Sequence, residues 1–314
     1  MSPTRRAAAL ALLSAAGASW PLTRALAQGI EPTDTPDDDA PDTTLDTGED
    51  RYDHMLAPVS INGQGPFDFL LDTGANVSCV SRRLADRLAL QPQASARVHT
   101  MVGVRERPIV LLDELKVGPR HRKRVHVPAL PMSGEDADGV LGVDWLKGQR
   151  LVLDFRQRRL EITRSRTDED VPGRIVIVPA RRRHGQLTIV DADLSGERIS
   201  AIIDSGAQGT LCNTRLREIV RARALKRGRV EPPVLVRMET IAGESFTGEW
   251  LYLPFLRLGG LQLGNVPVTC ADMHVFDIWD LTDKPALVIG MDLLGQFEQV
   301  ALDFGRSKVR FEFT

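Results

Sequence analysis

The stretch FLLDTGA, residues 69–75, returns in the second half of the chain as AIIDSGA, residues 201–207. Each copy is an apolar run that ends in an aspartate, followed at once by a hydroxyl residue and a glycine. A single Asp-Ser/Thr-Gly triplet is more often a turn than a site. Two copies in equivalent places carry more weight, because two carboxyls that meet can share one proton and activate water.

The repeat extends to both sides of these motifs. A strand-turn-strand pattern precedes each aspartate, at residues 57–67 and 187–197, with alternating apolar residues and glycine punctuation. A helix is expected after each motif. Ser81 can cap a helix over residues 82–90, and Asn213 can cap its counterpart. The shared order of elements indicates a duplication.

A second signature closes each half of the chain. GVLGVDWL, residues 139–146, matches LVIGMDLL, residues 287–294. A strand-like run that contains Leu-Asp-Phe follows each of them, at residues 153–155 and 302–304. These paired motifs occur in the same order in both halves, which predicts two homologous β-rich lobes.

These motifs resemble those of the aspartic proteases. Each half is similar to one retroviral-type (retropepsin-like) subunit, and the fused pair resembles the bacterial exported aspartyl proteases. Both motifs keep the alanine typical of the retroviral type, and hydroxyl residues follow at Ser78 and Thr210. The resemblance covers most of residues 51–314. It implies an all-β, two-lobed acid-protease fold with closed, barrel-like lobes, a few short helices and a site between the lobes.

The resemblance assigns catalysis to Asp72 and Asp204. Two carboxyls about 3 Å apart cannot both be ionised at ordinary pH. One would therefore act as a base toward water, and the other as an acid toward the scissile carbonyl, the two titrating as a pair. The expected supports of these loops are hydroxyls that tie them together and glycines that let them turn tightly: Thr73, Ser205, Gly74 and Gly206. This chemistry needs no metal and no cofactor.

A pair of β-hairpins that covers the substrate is the other part implied by the resemblance. The matching segments are TMVGV, residues 100–104, and TIAGE, residues 240–244, with Gly103 and Gly243 at the expected tips. Closure over an extended peptide would exclude water and add main-chain hydrogen bonds. Ordinary surface hairpins are the alternative interpretation of both segments.

The first 27 residues have the composition of an export signal, with an arginine pair, an Ala/Leu-rich run and a small-x-small end. The arginine pair leaves both the general secretory and the twin-arginine routes open. Residues 28–50 contain nine acidic residues and no basic one, which predicts a disordered linker. The expected order is signal peptide 1–27, acidic linker 28–50, N-terminal lobe 51–165 and C-terminal lobe 174–314.

Composition argues against several other classes of protein. The net charge of −2 would become −5 without the three arginines of residues 1–27, which indicates no nucleic-acid partner. Beyond the N-terminus, no apolar run is long enough to span a membrane. The six histidines lack metal-ligand spacing, and the three cysteines allow at most one disulfide, with buried free thiols expected.

The sequence therefore predicts an exported aspartic endopeptidase, periplasmic or secreted, that hydrolyses an extended peptide or protein substrate. Because both acids lie on one chain, a monomer suffices for the active site. The alternative is a peptide-binding or scaffold protein that keeps the fold without turnover, since a fold does not guarantee its function. A carbohydrate-binding module is disfavoured, because only 5% of the residues are aromatic.

Overall fold

The computed structural model describes residues 7–8 and 41–313, apart from 133, 135, 147, 169–170, 172–173, 184–185, 195 and 229–231. The predicted signal peptide, except for residues 7–8, lies outside the described residues, as does the predicted linker up to residue 40.

Within the described part of the chain, strands dominate and the helices are short. The strands are β1 (Ala7–Ala8), β2 (Thr43–Asp46), β3 (Gly48–Glu49), β4 (Met55–Ile61), β5 (Gln64–Leu71), β6 (Cys79–Ser81), β7 (Pro92–His99), β8 (Val104–Val117), β9 (Arg120–Leu130), β10 (Gly139–Leu141), β11 (Gln149–Asp154), β12 (Arg159–Arg164), β13 (Ile175–Arg183), β14 (Gln186–Leu194), β15 (Glu197–Ile203), β16 (Leu211–Cys212), β17 (Val234–Glu239), β18 (Ser245–Leu258), β19 (Leu261–Cys270), β20 (Ala286–Ile289), β21 (Gln299–Asp303) and β22 (Lys308–Glu312). The helices are α1 (Arg82–Arg87), α2 (Thr214–Lys226), α3 (His274–Ile278) and α4 (Met291–Leu294), with a 3-10 helix at Val143–Trp145. None of the described helices is long and apolar enough to cross a membrane.

Six strands close into a barrel in each lobe. In the N-terminal lobe the hydrogen-bonded cycle runs β4, β5, β10, β6, β9 and β8, and returns to β4. In the C-terminal lobe it runs β14, β15, β20, β16, β19 and β18, and returns to β14. The two cycles correspond strand by strand. The predicted all-β, duplicated fold is therefore confirmed.

Alternation of apolar side chains explains why these segments form barrel strands. Along β4, the residues at every second position (Met55, Ala57, Val59 and Ile61) are buried in the main apolar core. A strand places successive side chains on opposite faces, so this period directs one face into the barrel. The same core continues through both lobes and the sheet between them.

A six-stranded sheet joins the two lobes, in the order β13, β22, β21, β11, β12 and β2. The lobes meet where β11 pairs with β21, with Leu151 opposite Leu302. Both side chains are fully buried. The lobes therefore share hydrogen bonds and apolar core, and are not simply tethered.

The end of the predicted linker is ordered, so the expectation of disorder is wrong for residues 43–49. β2 pairs with β12, and β3 pairs with β4. Thr43 is buried and its hydroxyl accepts a hydrogen bond of 2.8 Å from the buried Arg120, while Leu45 packs against the core. The acidic side chain of Asp46 lies outward and forms an ion pair with Arg159. Alternation outweighs the acidic composition here.

The predicted helix caps are present. The Ser81 hydroxyl accepts a hydrogen bond from the Leu84 amide at 3.0 Å, and the Asn213 side chain accepts one from the Leu216 amide at 2.9 Å. Helix α1 ends at Arg87, earlier than expected, because the chain turns into the left-handed region at Ala89, where φ is 52°.

The cysteines differ from the expectation of free thiols. Cys212 and Cys270 form a disulfide between the parallel neighbours β16 and β19. Only Cys79 is a buried free thiol. By register, the N-terminal lobe has the apolar pair Val80 and Ala129 at the places of the two bonded cysteines.

Candidate active site

Asp72 and Asp204 follow the C-terminal ends of two equivalent strands, β5 and β15. The amide of Asp72 donates a hydrogen bond of 3.0 Å to the Leu141 carbonyl of β10, and the amide of Asp204 donates one of 3.0 Å to the Ile289 carbonyl of β20. The second sequence signature therefore lies directly beneath each aspartate loop. Both aspartates are 1% exposed.

The hydroxyl residues next to the aspartates tie the two loops together across the lobe interface. The Thr73 hydroxyl donates to the Ile203 carbonyl at 3.0 Å and accepts from the Ser205 amide at 2.9 Å. Reciprocally, the Ser205 hydroxyl donates to the Leu71 carbonyl at 2.8 Å and accepts from the Thr73 amide at 3.1 Å. All four bonds are buried, so they hold the aspartate loops in a nearly symmetric arrangement.

The amides of each loop orient its carboxylate. Oδ1 of Asp72 accepts hydrogen bonds from the amides of Gly74 at 2.7 Å and Ala75 at 2.9 Å, and Oδ1 of Asp204 accepts one from Gly206 at 2.9 Å. Oδ2 of each aspartate is buried and has no hydrogen-bond partner among the described residues. The two oxygens of each carboxyl therefore differ, because amides of its own loop hold Oδ1 and not Oδ2.

The two glycines are required because each faces the opposite carboxyl. A Cβ atom on Gly74 would lie 2.6 Å from Oδ1 of Asp204, and one on Gly206 would lie 2.6 Å from Oδ1 of Asp72. Real Cβ atoms do not approach oxygen so closely, so any side chain would push the loops apart. These reciprocal contacts also show that each carboxyl reaches the opposite loop.

Burial governs the electrostatics of this pair. Desolvation, followed by the nearby charge of Asp204, raises the pKa of Asp72 well above its usual value. Desolvation also raises the pKa of Asp204, although the contact with Asp72, the Gly206 amide and the charge of His54 oppose part of that rise. The pair therefore holds a proton at a pH where an ordinary pair of aspartates would be fully ionised.

A second pair of aspartates, Asp144 and Asp292, supports the loops from the second signature. The Ser78 hydroxyl donates to Asp144 at 2.8 Å and accepts from the Gly142 amide at 3.0 Å. The equivalent hydroxyl of Thr210 donates to Asp292 at 2.7 Å. Burial raises the pKa of both supporting carboxyls. They already have protein partners, which distinguishes them from the central pair.

The two segments predicted as covering hairpins are turns between equivalent strands, β7–β8 and β17–β18. In the first turn, the amide of Thr100 donates a hydrogen bond of 2.7 Å to the Gly103 carbonyl. In the second, the amide of Gly243 donates one of 2.9 Å to the Thr240 carbonyl. Gly243 has φ of 77°, which favours glycine, whereas Gly103 has no left-handed φ.

Each hairpin tip packs on the opposite lobe. Met101, in the turn of the N-terminal lobe, is fully buried in a cluster of the C-terminal lobe with Phe276 and Trp279. Its carbonyl accepts a hydrogen bond of 3.3 Å from the amide of Val275. Ile241, the equivalent residue of the other turn, packs on an apolar cluster of the N-terminal lobe. The tips cross between the lobes, which does not occur in isolated surface hairpins.

Polar contacts also join the N-terminal hairpin to the C-terminal lobe. His99, the last residue of β7, lies against His274 at the start of α3, with 2.9 Å between Nδ1 of His99 and Nε2 of His274. The rings stack with centroids 5.2 Å apart. Between the two hairpins, Arg105 and Glu244 form an ion pair of 2.8 Å.

A family model described as aspartyl protease matches residues 57–145 and 190–293. The two matches together span more than half of the chain, and each contains one aspartate loop and the signature beneath it. The chain belongs to the aspartyl protease family. In this aspartyl protease, the two matched regions fit the tandem, two-lobe arrangement predicted from the motifs. A comparison with curated proteins found no match.

One histidine of this aspartyl protease was missed by the sequence analysis. His54 is 1% exposed, and its charge acts on Asp204. In the sequence it is one of six scattered histidines that lack metal-ligand spacing. Its position in the sequence could have indicated this, because His54 comes just before the β4–β5 hairpin and Asp72 just after it. Antiparallel pairing of the two strands brings these two residues next to each other.

Proposed function

We propose that this aspartyl protease is an exported aspartic endopeptidase in which Asp72 and Asp204 activate water. One observation carries the proposal: two buried carboxyls, locked by reciprocal hydroxyl bonds, each with Oδ2 unpartnered among the described residues. A structural aspartate has protein partners on both oxygens or lies in solvent. A pair that has neither, and that has a raised pKa, is equipped for general acid–base work.

The proposed reaction needs one proton on the pair. The ionised carboxyl takes a proton from a water molecule, and the oxygen of that water forms a bond to the scissile carbonyl carbon. The protonated carboxyl gives its proton to the carbonyl oxygen, so a neutral tetrahedral diol results. Collapse of the diol breaks the C–N bond: the departing nitrogen takes a proton from one carboxyl, and one diol hydroxyl gives its proton to the other carboxylate as its oxygen becomes the carbonyl of the new acid, so the pair again holds one proton. No bond to the enzyme forms at any step.

Burial of the pair requires that the hairpins open to admit substrate. Both aspartates are 1% exposed, and the tips at residues 100–104 and 240–244 each pack on the opposite lobe. An extended peptide would replace the tip-to-lobe contacts, and the strands that flank each tip would then donate main-chain hydrogen bonds to it. Gly103 and Gly243 are proposed to line the substrate at these tips.

The disulfide supports export. Disulfides form in oxidising compartments such as the bacterial periplasm or the extracellular medium, and are rare in the cytosol. The bond between Cys212 and Cys270 therefore agrees with the signal-like composition of residues 1–27. Both carboxyls come from one chain, so the proposed enzyme acts as a monomer on peptide or protein substrates.

The test is cleavage of a diverse peptide library by residues 28–314, from pH 3 to pH 8, with and without pepstatin. We expect pepstatin-sensitive cleavage that disappears in Asp72→Asn and in Asp204→Asn, with thermal unfolding nearly unchanged. Asp113→Asn, a change at an exposed carboxyl on β8, is the matched control and should keep full activity.

Full activity in either dyad variant would refute the proposal. Folded wild-type protein that binds library peptides but cleaves none at any pH would favour the alternative function, a peptide-binding protein with this fold.

A further inference from the structure

The buried imidazole of His54 has one nitrogen with a partner and one without. Its Nδ1 lies 2.7 Å from Oδ2 of Asp50, and the side chains of this pair are 2% and 7% exposed, His54 first. Its Nε2 is buried and has no hydrogen-bond partner among the described residues. A buried polar atom in that state is unfavourable unless a ligand or water completes it.

Asp50 fixes the direction in which that nitrogen points. Oδ1 of Asp50 accepts hydrogen bonds from the amides of Tyr52 at 2.8 Å and His54 at 2.9 Å, so one carboxylate holds both the turn and the ring. Although burial opposes it, the bond with His54 lowers the pKa of Asp50, so the carboxylate stays ionised. The ionised carboxylate accepts a hydrogen bond from Nδ1, so Nε2 is the ring nitrogen that remains for another group.

The register of the barrel places His54 at the aspartate loops. β4 and β5 pair Leu56 with Leu70, so His54 comes level with Asp72 two residues farther along. The charge of His54 also lowers the pKa of Asp204 from the opposite loop. His54 therefore lies close to both aspartate loops.

His54 is not part of the duplicated machinery. In the C-terminal lobe, Thr188 pairs with Ile202, so the corresponding position is Gln186. Aspartates, hydroxyls, glycines and hairpins all occur twice, and a twofold arrangement treats both directions of a peptide alike. A feature present once can distinguish the two sides of the scissile bond.

We propose that His54, oriented by Asp50, is a specificity-determining residue whose Nε2 binds a polar side chain of the substrate on one side of the scissile bond. The inference rests on the proposed peptidase function. A side chain is the expected partner because main-chain recognition belongs to the duplicated parts. An apolar side chain at that subsite would leave Nε2 buried and unpaired, so a site of this kind rejects it.

The test compares pairs of peptides that differ at one position by a hydrogen-bonding group: Gln against Met, Thr against Val, and Ser against Ala. Wild type should prefer the polar member by about tenfold in kcat/KM, because one buried hydrogen bond contributes about that factor. The preference should occur at one peptide position, on one side of the scissile bond only. His54→Leu should abolish that preference. His54→Gln should keep part of it, because Gln is the residue that the fold places at the equivalent position.

Binding separates this inference from the proposed function. The same peptide pairs are bound to the Asp72→Asn variant, alone and combined with His54→Leu, and followed by fluorescence anisotropy. If wild type cleaves none of the peptides but binding still shows a preference that depends on His54, the peptidase proposal fails and the subsite is supported. Two results would overturn the subsite: His54→Leu weakens the binding of polar and apolar peptides equally, or correctly folded His54→Leu keeps the wild-type preference for polar peptides.

Discussion

Acid is expected to release the N-terminal hairpin from the C-terminal lobe through the pair His99 and His274. Their ring nitrogens, 2.9 Å apart, require one donor and one acceptor, so at least one ring must be neutral. Burial, followed by the charges of His274 and Arg97, lowers the pKa of His99. The carboxylate of Asp277 lies 3.6 Å from Nδ1 of His274.

The direction of the effect follows from the depressed pKa. The pKa of an ordinary histidine is about 6.5. In the closed hairpin the pKa of His99 is lower, so the open hairpin binds the proton more tightly. Closure is fully favoured above the ordinary histidine pKa. It weakens as the pH falls through that value toward the depressed one.

The size of the effect follows from the ring geometry. Two imidazolium charges with centroids 5.2 Å apart repel by about 3 kcal/mol at an effective dielectric constant of about 20. Both rings contact solvent in part, which reduces the repulsion to about 1–2 kcal/mol. The ratio of open to closed hairpin should therefore rise by about five- to thirtyfold when both rings are protonated.

Hydrogen exchange of the peptide that spans residues 97–106 measures this opening, after correction for the intrinsic pH dependence of amide exchange. Wild type should lose protection as the pH falls from 7 to 5. His99→Gln removes the ring with the lowered pKa and should show a flat profile, whereas His274→Gln should show a weaker pH dependence than wild type, because burial still lowers the pKa of His99. The hairpin at residues 240–244 is the internal control. An identical pH dependence in wild type and both glutamine variants would refute the reasoning.

Three further changes have distinct expected outcomes. Gly74→Ala should abolish peptide cleavage and lower the melting temperature, because its Cβ would meet the carboxyl of Asp204; wild-type turnover would contradict this. Replacing Cys212 by Val and Cys270 by Ala should cost about 2–4 kcal/mol in urea unfolding, since the bond closes a loop with a sequence separation of 58; an unchanged midpoint would contradict the disulfide. Met101→Ala should raise exchange of its hairpin about thirtyfold by removing about 2 kcal/mol of burial, while the melting temperature hardly moves; a large fall in melting temperature would mean that the tip is part of the global core.

The parts of the fold that could be predicted from sequence are those in which local chemistry alone specifies geometry. The triplets at Asp72 and Asp204, their following hydroxyl residues and the apolar-apolar-Gly signatures each fix a loop within a few residues. Their duplication predicts two equivalent lobes, and the resemblance to the aspartic proteases implies that each lobe is a closed barrel. The caps at Ser81 and Asn213 were predictable for the same reason, because a cap depends on three or four neighbouring residues.

The parts that were missed depend on contacts distant in sequence. Strand β2 reads as acidic linker until β12 and the Arg120 side chain provide its partners. The Cys212–Cys270 bond requires the parallel register of two strands that are far apart in the chain. From the sequence alone, Met101 is expected to be an exposed apolar residue in a turn, because the apolar cluster that buries it belongs to the other lobe.

The sheet between the lobes determines which way the molecule can open. β11 and β21 pair from Arg150 to Asp154, so separating the lobes at their base would break a continuous hydrogen-bonded ladder and expose fully buried leucines. Among the described residues, the hairpin tips contact the opposite lobe through the side chains of Met101 and Ile241 and through a hydrogen bond from the Val275 amide to the Met101 carbonyl. Under the proposed function, the lobes would therefore open at the hairpin tips while the paired strands at the base stay together, and a peptide and its products would enter and leave on that one side.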